Sequence, residues 1–154
     1  MKKIYLAGFD VFSPDSLSIG AYMKKLCASY GFEGLFPLDN ECHTAEEIFM
    51  SNTAMIRSCD IIAANMNRFR GFEPDSGTAF ELGFGYSLGK DLYCYMEDTS
   101  PMTKLLGSQD SNGYYVEDFG NPLNLMLSVP SIVIKGGFED CLSYIALSAS
   151  DPDK

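Results

Sequence analysis

The run Asp60-Ile-Ile-Ala-Ala-Asn65 leaves this chain few folds to choose from. Four apolar residues in a row, without polar alternation, suit a strand covered on both faces, and such strands belong to parallel sheets. The theme recurs. Lys3-Ile-Tyr-Leu-Ala-Gly8 is a first buried strand, with Tyr5 and Ala7 on one face and Ile4 and Leu6 on the other. Gly34-Leu-Phe-Pro37, Asp91-Leu-Tyr-Cys-Tyr95 and Ser131-Ile-Val-Ile134 read as three more. Helical segments separate them. One runs from Asp15 or Ser16 to Tyr30 and stops at Gly31. A second is capped by Thr44, with Glu47 at the capping-box position, and ends near Arg57. A third starts at Asp75, and a last one covers Phe138 to Leu147 before a polar tail, Ser148 to Lys154.

Strands alternating with helices predict one doubly wound α/β domain, flavodoxin- or Rossmann-like, with a parallel five-stranded sheet over residues 1–154. Phe9 to Pro14 reads as a loop, and Glu97 to Gly120 as a long polar segment that serves as a lid or a packing arm. Asn121 to Leu127 reads as a short helix with Pro122 in its first turn.

The formal net charge of −10 argues against a nucleic acid polymer or an anionic membrane as partner. Cys27, Cys42, Cys59, Cys94 and Cys141 are odd in number and show no CxxC pair, which points to reduced thiols and a cytoplasmic protein. No signal peptide or membrane-spanning run is expected. With His43 as the one histidine, neither a metal site nor a Ser/His/acid set is expected. The turn after the first strand, Ala7-Gly8-Phe9-Asp10, is not the dinucleotide fingerprint, and no P-loop is present, so no cofactor is expected.

The chemistry concentrates on the third helix. Asp75 is a good N-cap, and Ala79 to Leu88 is apolar on nearly every face, which predicts a helix packed inside the protein. Glu81 is a lone carboxylate there, with Gly77 and Gly85 at i−4 and i+4 suggesting open space on both sides. A buried carboxylate needs a partner or a job. In doubly wound sheets ligands bind beyond the carboxyl ends of the strands. Gly8, Asp39, Asn65 and the loop before Asp75 all fall on that edge. An ionised Glu near a helix N-terminus can act as nucleophile towards a sugar carbon, as in retaining glycosyl transfer.

Five segments in order, Tyr5-Leu-Ala-Gly8, Pro37-Leu-Asp-Asn40, Cys59-Asp-Ile-Ile62, the stretch from Phe69 through Asp75 and Glu81 to Gly83, and Pro122-Leu-Asn-Leu-Met126, carry a resemblance. The chain resembles the nucleoside 2-deoxyribosyltransferases over nearly its whole length. The resemblance implies a ping-pong exchange of the base on 2′-deoxynucleosides, with free nucleobases as second substrates and a place in nucleotide salvage. It places Glu81 as nucleophile, Asp75 on the 5′-hydroxyl, and Tyr5 as the group that orients Glu81. Gly8, Asp39 and Asn52 fall among substrate-binding positions. Asn124 and Met126 match positions that reach into a neighbouring subunit's site, which implies a homo-oligomer, dimer or hexamer, with shared active sites.

Asn52 departs from the Asp common in the family and is similar to the kinetoplastid-type members. An amide can bond a base but cannot donate a proton as a carboxylic acid does, which leaves Asp39 or solvent as the acid. A related class hydrolyses deoxynucleoside 5′-monophosphates and usually carries Ser at the Asp75 position, so Asp75 favours nucleosides. A hydrolase of deoxynucleosides or their monophosphates, or a nucleoside-binding protein without turnover, are the alternatives. Asp60 reads as a structural turn residue, and Arg68 and Arg70 as a solvated loop or partners of Glu73.

Overall fold

The computed structural model describes residues 1–149; residues 150–154, within the expected polar tail, lie outside the described residues. Five strands, β1 (Lys3–Ala7), β2 (Glu33–Leu35), β3 (Ile61–Asn65), β4 (Asp91–Met96) and β5 (Ile132–Lys135), form one parallel sheet in the order β2-β1-β3-β4-β5. Helices α1 (Ser16–Ser29), α2 (Ala45–Ser58), α3 (Ser76–Ser87) and α6 (Phe138–Ala149) cover it, with two short helices, α4 (Met102–Leu106) and α5 (Leu125–Ser128), between β4 and β5. The expected doubly wound α/β domain is therefore what the chain forms. The order reverses at β1, whose two neighbours are β2 and β3, so the crevice expected of such sheets opens at the carboxyl ends of β1 and β3.

Strand alternation divides the core into two layers. Ile4, Leu6, Ile61, Ala63, Tyr93 and Tyr95 pack with Met23, Cys27, Cys141, Leu142 and Ile145 from α1 and α6. Tyr5, Ala7, Ile62, Ala64, Leu92 and Cys94 pack with Met55, Ile56 and Leu82 from α2 and α3. Register pairs Tyr5 with Ile62 and Ala7 with Ala64, so the face that carries Tyr5 is the face that α2 and α3 cover. Thr44 and Glu47 form the expected capping box on α2. Asp60 accepts a bond from the Lys3 amide at 2.8 Å, a structural link between the starts of β1 and β3.

Several local expectations change. Phe9–Phe12 is a 3-10 turn rather than open loop, closed by Ser13 N–H on the Asp10 carbonyl. β2 stops at Leu35 because the Phe36 amide bonds the Asp39 carboxylate and Pro37 has no N–H to offer. The helix expected from Asn121 starts only at Leu125, since Asn124 is its N-cap and accepts from the Met126 amide. α6 continues to Ala149, past Leu147. The long polar segment contains α4 and a turn around Asp110, and no residue from Ser100 to Gly120 lines the clefts beside Glu81. It acts as a packing arm: Glu117 bonds the Asn124 amide and the Leu125 N–H, which anchors α5.

α3 is not buried all round. Thr78, Leu82 and Gly85 face the sheet, but Phe80, Tyr86 and Leu88 are exposed. Gly85 is no open space either. A β-carbon there would sit 2.2 Å from Ile62 Cδ1, so this glycine lets the helix approach β3. Among the described residues no helix is long and apolar enough to cross a membrane.

Candidate active site

Tyr5 stands in the middle of β1, fully buried, and its hydroxyl donates to Glu81 Oε1 at 2.6 Å. Burial holds the Tyr5 hydroxyl far above its usual range, and the Glu81 charge adds to this, so the proton stays on the phenol. Glu81 is partly buried in the second turn of α3. Burial pushes its carboxyl up to about 7; the Tyr5 bond opposes that push, and the nearby negative charge of Asp75 adds to it.

Asp75 caps α3. Its Oδ2 accepts from both the Thr78 amide and the Thr78 hydroxyl, each at 2.9 Å. Thr78 is itself buried, so the cap is held from below by the core. Both bonds fall on one oxygen, and the other, Oδ1, bonds no described residue.

Two clefts meet at Glu81. One, about 280 Å³, is lined by Gly8, Phe12, Leu38, Asn52, Asp75 and Glu81, among others. The second, about 310 Å³, is lined by Ile48, Phe49, Asn52, Phe80 and Glu81. Ile48, Asn52, Gly77 and Glu81 belong to both. A side chain on Gly77 would meet little besides Asp75 Oδ2 at 3.1 Å, so the missing side chain opens the junction. Asn52 Oδ1 is buried there without a hydrogen-bond partner among the described residues. An unmet buried carbonyl costs about 1–3 kcal/mol, which a ligand's donor can recover.

The structure thus brings Tyr5, Gly8, Asn52, Asp75 and Glu81 together around one space. Asp39 is not among them. It is tied to the Phe36 amide and to the Lys24 ammonium, although its neighbours Pro37 and Leu38 line the cleft. Met126 lines a different groove of about 500 Å³, against Leu82 and Tyr86 on another side of α3, and Asn124 caps the short helix that carries Met126. Asn124 bonds Glu117, and Met126 is 74% exposed. Arg68 pairs with Asp98, and Arg70 stacks over Phe12 and Phe69; neither bonds Glu73. Phe12, Ile48, Phe49 and Phe80 also line the clefts, and nothing in the sequence separates the aromatics among them from exposed ones away from the clefts, such as Tyr114, Tyr115 and Phe119. Among the described residues no group of three His, Cys, Asp or Glu side chains could hold a metal ion.

A 2-deoxyribosyltransferase from Leishmania mexicana is 40% identical, with a TM-score of 0.88 over 96% of this chain and 98% of that one. A CMP N-glycosidase from Clostridium botulinum shares the fold at 18% identity, TM-score 0.54, over 96% of this chain and 99% of its own. An uncharacterized protein of Schizosaccharomyces pombe is 29% identical over 105 residues, 62% of this chain, and the chain spans about half the length of that protein. The family model for nucleoside 2-deoxyribosyltransferase matches residues 4–126, which include Tyr5, Asp75 and Glu81, and the chain belongs to that family.

Proposed function

We propose that this protein transfers the 2-deoxyribosyl group between nucleobases through a covalent intermediate on Glu81. The observation that carries the reading is the 2.6 Å bond from the buried Tyr5 hydroxyl to the Glu81 carboxylate, beside an open cleft. The bond leaves one carboxylate oxygen for the sugar and fixes its direction. Glu81 attacks C1′ of a 2′-deoxynucleoside, the new O–C1′ bond forms as the C1′–N bond breaks, and the base leaves with the electron pair. A proton reaches the departing base from solvent, since Asn52 has none to give and Asp39 is turned to Lys24. A second base then attacks C1′ from the face the first base left, opposite Glu81; the C1′–O bond breaks as the new C1′–N bond forms, the N–H proton of the incoming base goes to solvent, and the carboxylate of Glu81 is freed with the configuration restored.

Asp75 supports the choice of nucleosides over their 5′-phosphates, because its Oδ1 can accept from a free 5′-hydroxyl and would repel a phosphate. Asn52 offers its unpaired carbonyl to a donor on the base. The exposed apolar side of α3, with Tyr86, Met126 and Val129 around a groove, supports assembly into a homo-oligomer in which Asn124 and Met126 serve a neighbouring site. Such an enzyme acts in nucleotide salvage.

The test is incubation with deoxyinosine and adenine. Deoxyadenosine and hypoxanthine together mean transfer. Free deoxyribose without deoxyadenosine means hydrolysis, and no product with measurable nucleoside binding means a binding protein; either outcome rejects the proposal.

A further inference from the structure

The carboxyl ends of β1, β3 and β4 are tied together by side chains that the transfer chemistry does not use. Asn65 ends β3 and is only 6% exposed. Its Nδ2 donates to Asp10 Oδ2 at 2.9 Å. Its Oδ1 accepts from Asn67 twice, from Nδ2 at 2.9 Å and from the amide at 3.2 Å. Asn67 Oδ1 in turn accepts from the amide of Glu97, the residue after β4, at 2.9 Å. The link to β1 is close packed. A β-carbon on Gly8 would lie 2.8 Å from Asn65 Cβ and 2.6 Å from Asp10 Oδ2.

Asp10 belongs to the 3-10 turn Phe9–Phe12, which has no fully buried residue. Such short turns have little internal stability. Yet this turn delivers Val11 and Phe12 to the wall of the cleft that contains Glu81 and Asp75. Phe12 is 56% exposed and rests on Phe69, a loop residue, at 5.6 Å between ring centres. The tether to rigid β3 runs through Asp10 and Asn65.

We propose that Asp10 and Asn65 are positioning residues: their hydrogen bond fixes the Phe9–Phe12 turn against the end of β3 and thereby sets the wall on which the nucleoside packs. Neither lines the Glu81 cleft, so the effect passes through Val11 and Phe12. The kinetic part of the test rests on the transferase reading; the hydrogen-exchange part does not.

Asn65→Asp keeps the shape but sets a second carboxylate against Asp10, in place of the amide donor. Asp10→Asn with Asn65→Asp exchanges donor and acceptor and restores the bond. In the single variant KM for the deoxynucleoside rises about ten-fold or more, while kcat stays within about three-fold, because wall contacts supply binding rather than bond-breaking. In the double variant KM returns to within about three-fold of wild type. Amide hydrogen exchange of Phe9–Phe12 speeds up in the single variant and slows again in the double. Wild-type KM and exchange in Asn65→Asp, or a double variant no better than the single, overturns the proposal. Should Asn65→Asp not fold, Asp10→Ala at a partly buried residue removes the same bond. It is expected to raise KM and exchange in the same way, and wild-type behaviour there is equally fatal. If wild type transfers nothing, the transferase reading falls, and the hydrogen-exchange comparison still decides the tether.

Discussion

Replacing Tyr5 with Phe removes one oxygen from a side chain whose ring is fully buried in the core. That oxygen lies 2.6 Å from Glu81 Oε1. A hydrogen bond to a charged group is worth about 1.5–3 kcal/mol. At 1.36 kcal/mol per pKa unit, losing it raises the Glu81 carboxyl by roughly one to two units. The starting point is about 7. At neutral pH the ionised fraction therefore falls from about one half to between about 1 and 10%. Attack on C1′ requires the ionised form, so kcat/KM at pH 7 is expected to drop roughly five- to fifty-fold. The sign is specific: activity rises with pH through the Glu81 midpoint, and in Tyr5→Phe that rise moves up by about one to two pH units. The assay is the initial rate of base exchange across pH for both proteins. A midpoint that stays near 7 in Tyr5→Phe refutes the coupling, and activity that climbs as pH falls refutes Glu81 as an ionised nucleophile.

Glu81→Gln is expected to abolish exchange and to stabilise the fold. In the unfolded chain Glu81 loses its proton near 4.5, in the folded protein near 7, so wild-type stability falls as pH rises between these values and stays lower above them. Removing that term is worth about 1–3 kcal/mol at pH 8, read from denaturant midpoints; a Gln variant less stable than wild type there contradicts it. Asp75→Ser should shift the ratio of specificity constants from deoxynucleosides towards their 5′-monophosphates by at least about ten-fold, and an unmoved ratio would reduce Asp75 to a helix cap. Asn124→Ala should weaken nucleoside binding, and mixing it with Glu81→Ala should restore part of the activity; a fully active monomer in sedimentation excludes the shared site. Gly85→Ala should cost about 1–3 kcal/mol despite the better helix propensity of Ala, since its β-carbon meets the buried Ile62; a higher melting temperature would show that Ile62 yields freely.

The fold was legible because its signals are local. Unbroken apolar runs at Ile61 to Ala64 and at Ile4 to Ala7 announce a parallel sheet, and Thr44 with Glu47 announces α2 to the residue. What escaped notice depends on single hydrogen bonds. The end of β2 is set by an Asp39 carboxylate that takes the Phe36 amide, and the start of α5 by Asn124 as cap. Polar loop residues offer many such bonds, and which one forms is decided by tertiary neighbours. Asp39 is such a case: it stands on the carboxyl edge, and its carboxylate is held by the Phe36 amide and by Lys24 on α1.

The site divides along the same line. A helix fixes the separation of Glu81 and Asp75, and strand alternation fixes the face of Tyr5, while a role for Tyr5 beside Glu81 is what the family resemblance implies. Gly77 and Gly85 look alike in sequence, at equal spacing from Glu81, but do opposite things. The one opens the junction of the two clefts and the other seats α3 on Ile62. Composition cannot separate a glycine that makes room for a ligand from one that makes room for a strand. The apolar faces of α3 pose the same problem. Leu82 and Phe80 are both apolar, yet one is buried against the sheet and the other stands 52% exposed beside the Glu81 cleft. An apolar residue reports that some surface will cover it, not whether that surface is the core, a substrate or a second subunit. Phe80 and Phe49, whose rings meet at 5.9 Å beside the second cleft, are each left 52% exposed by the described residues.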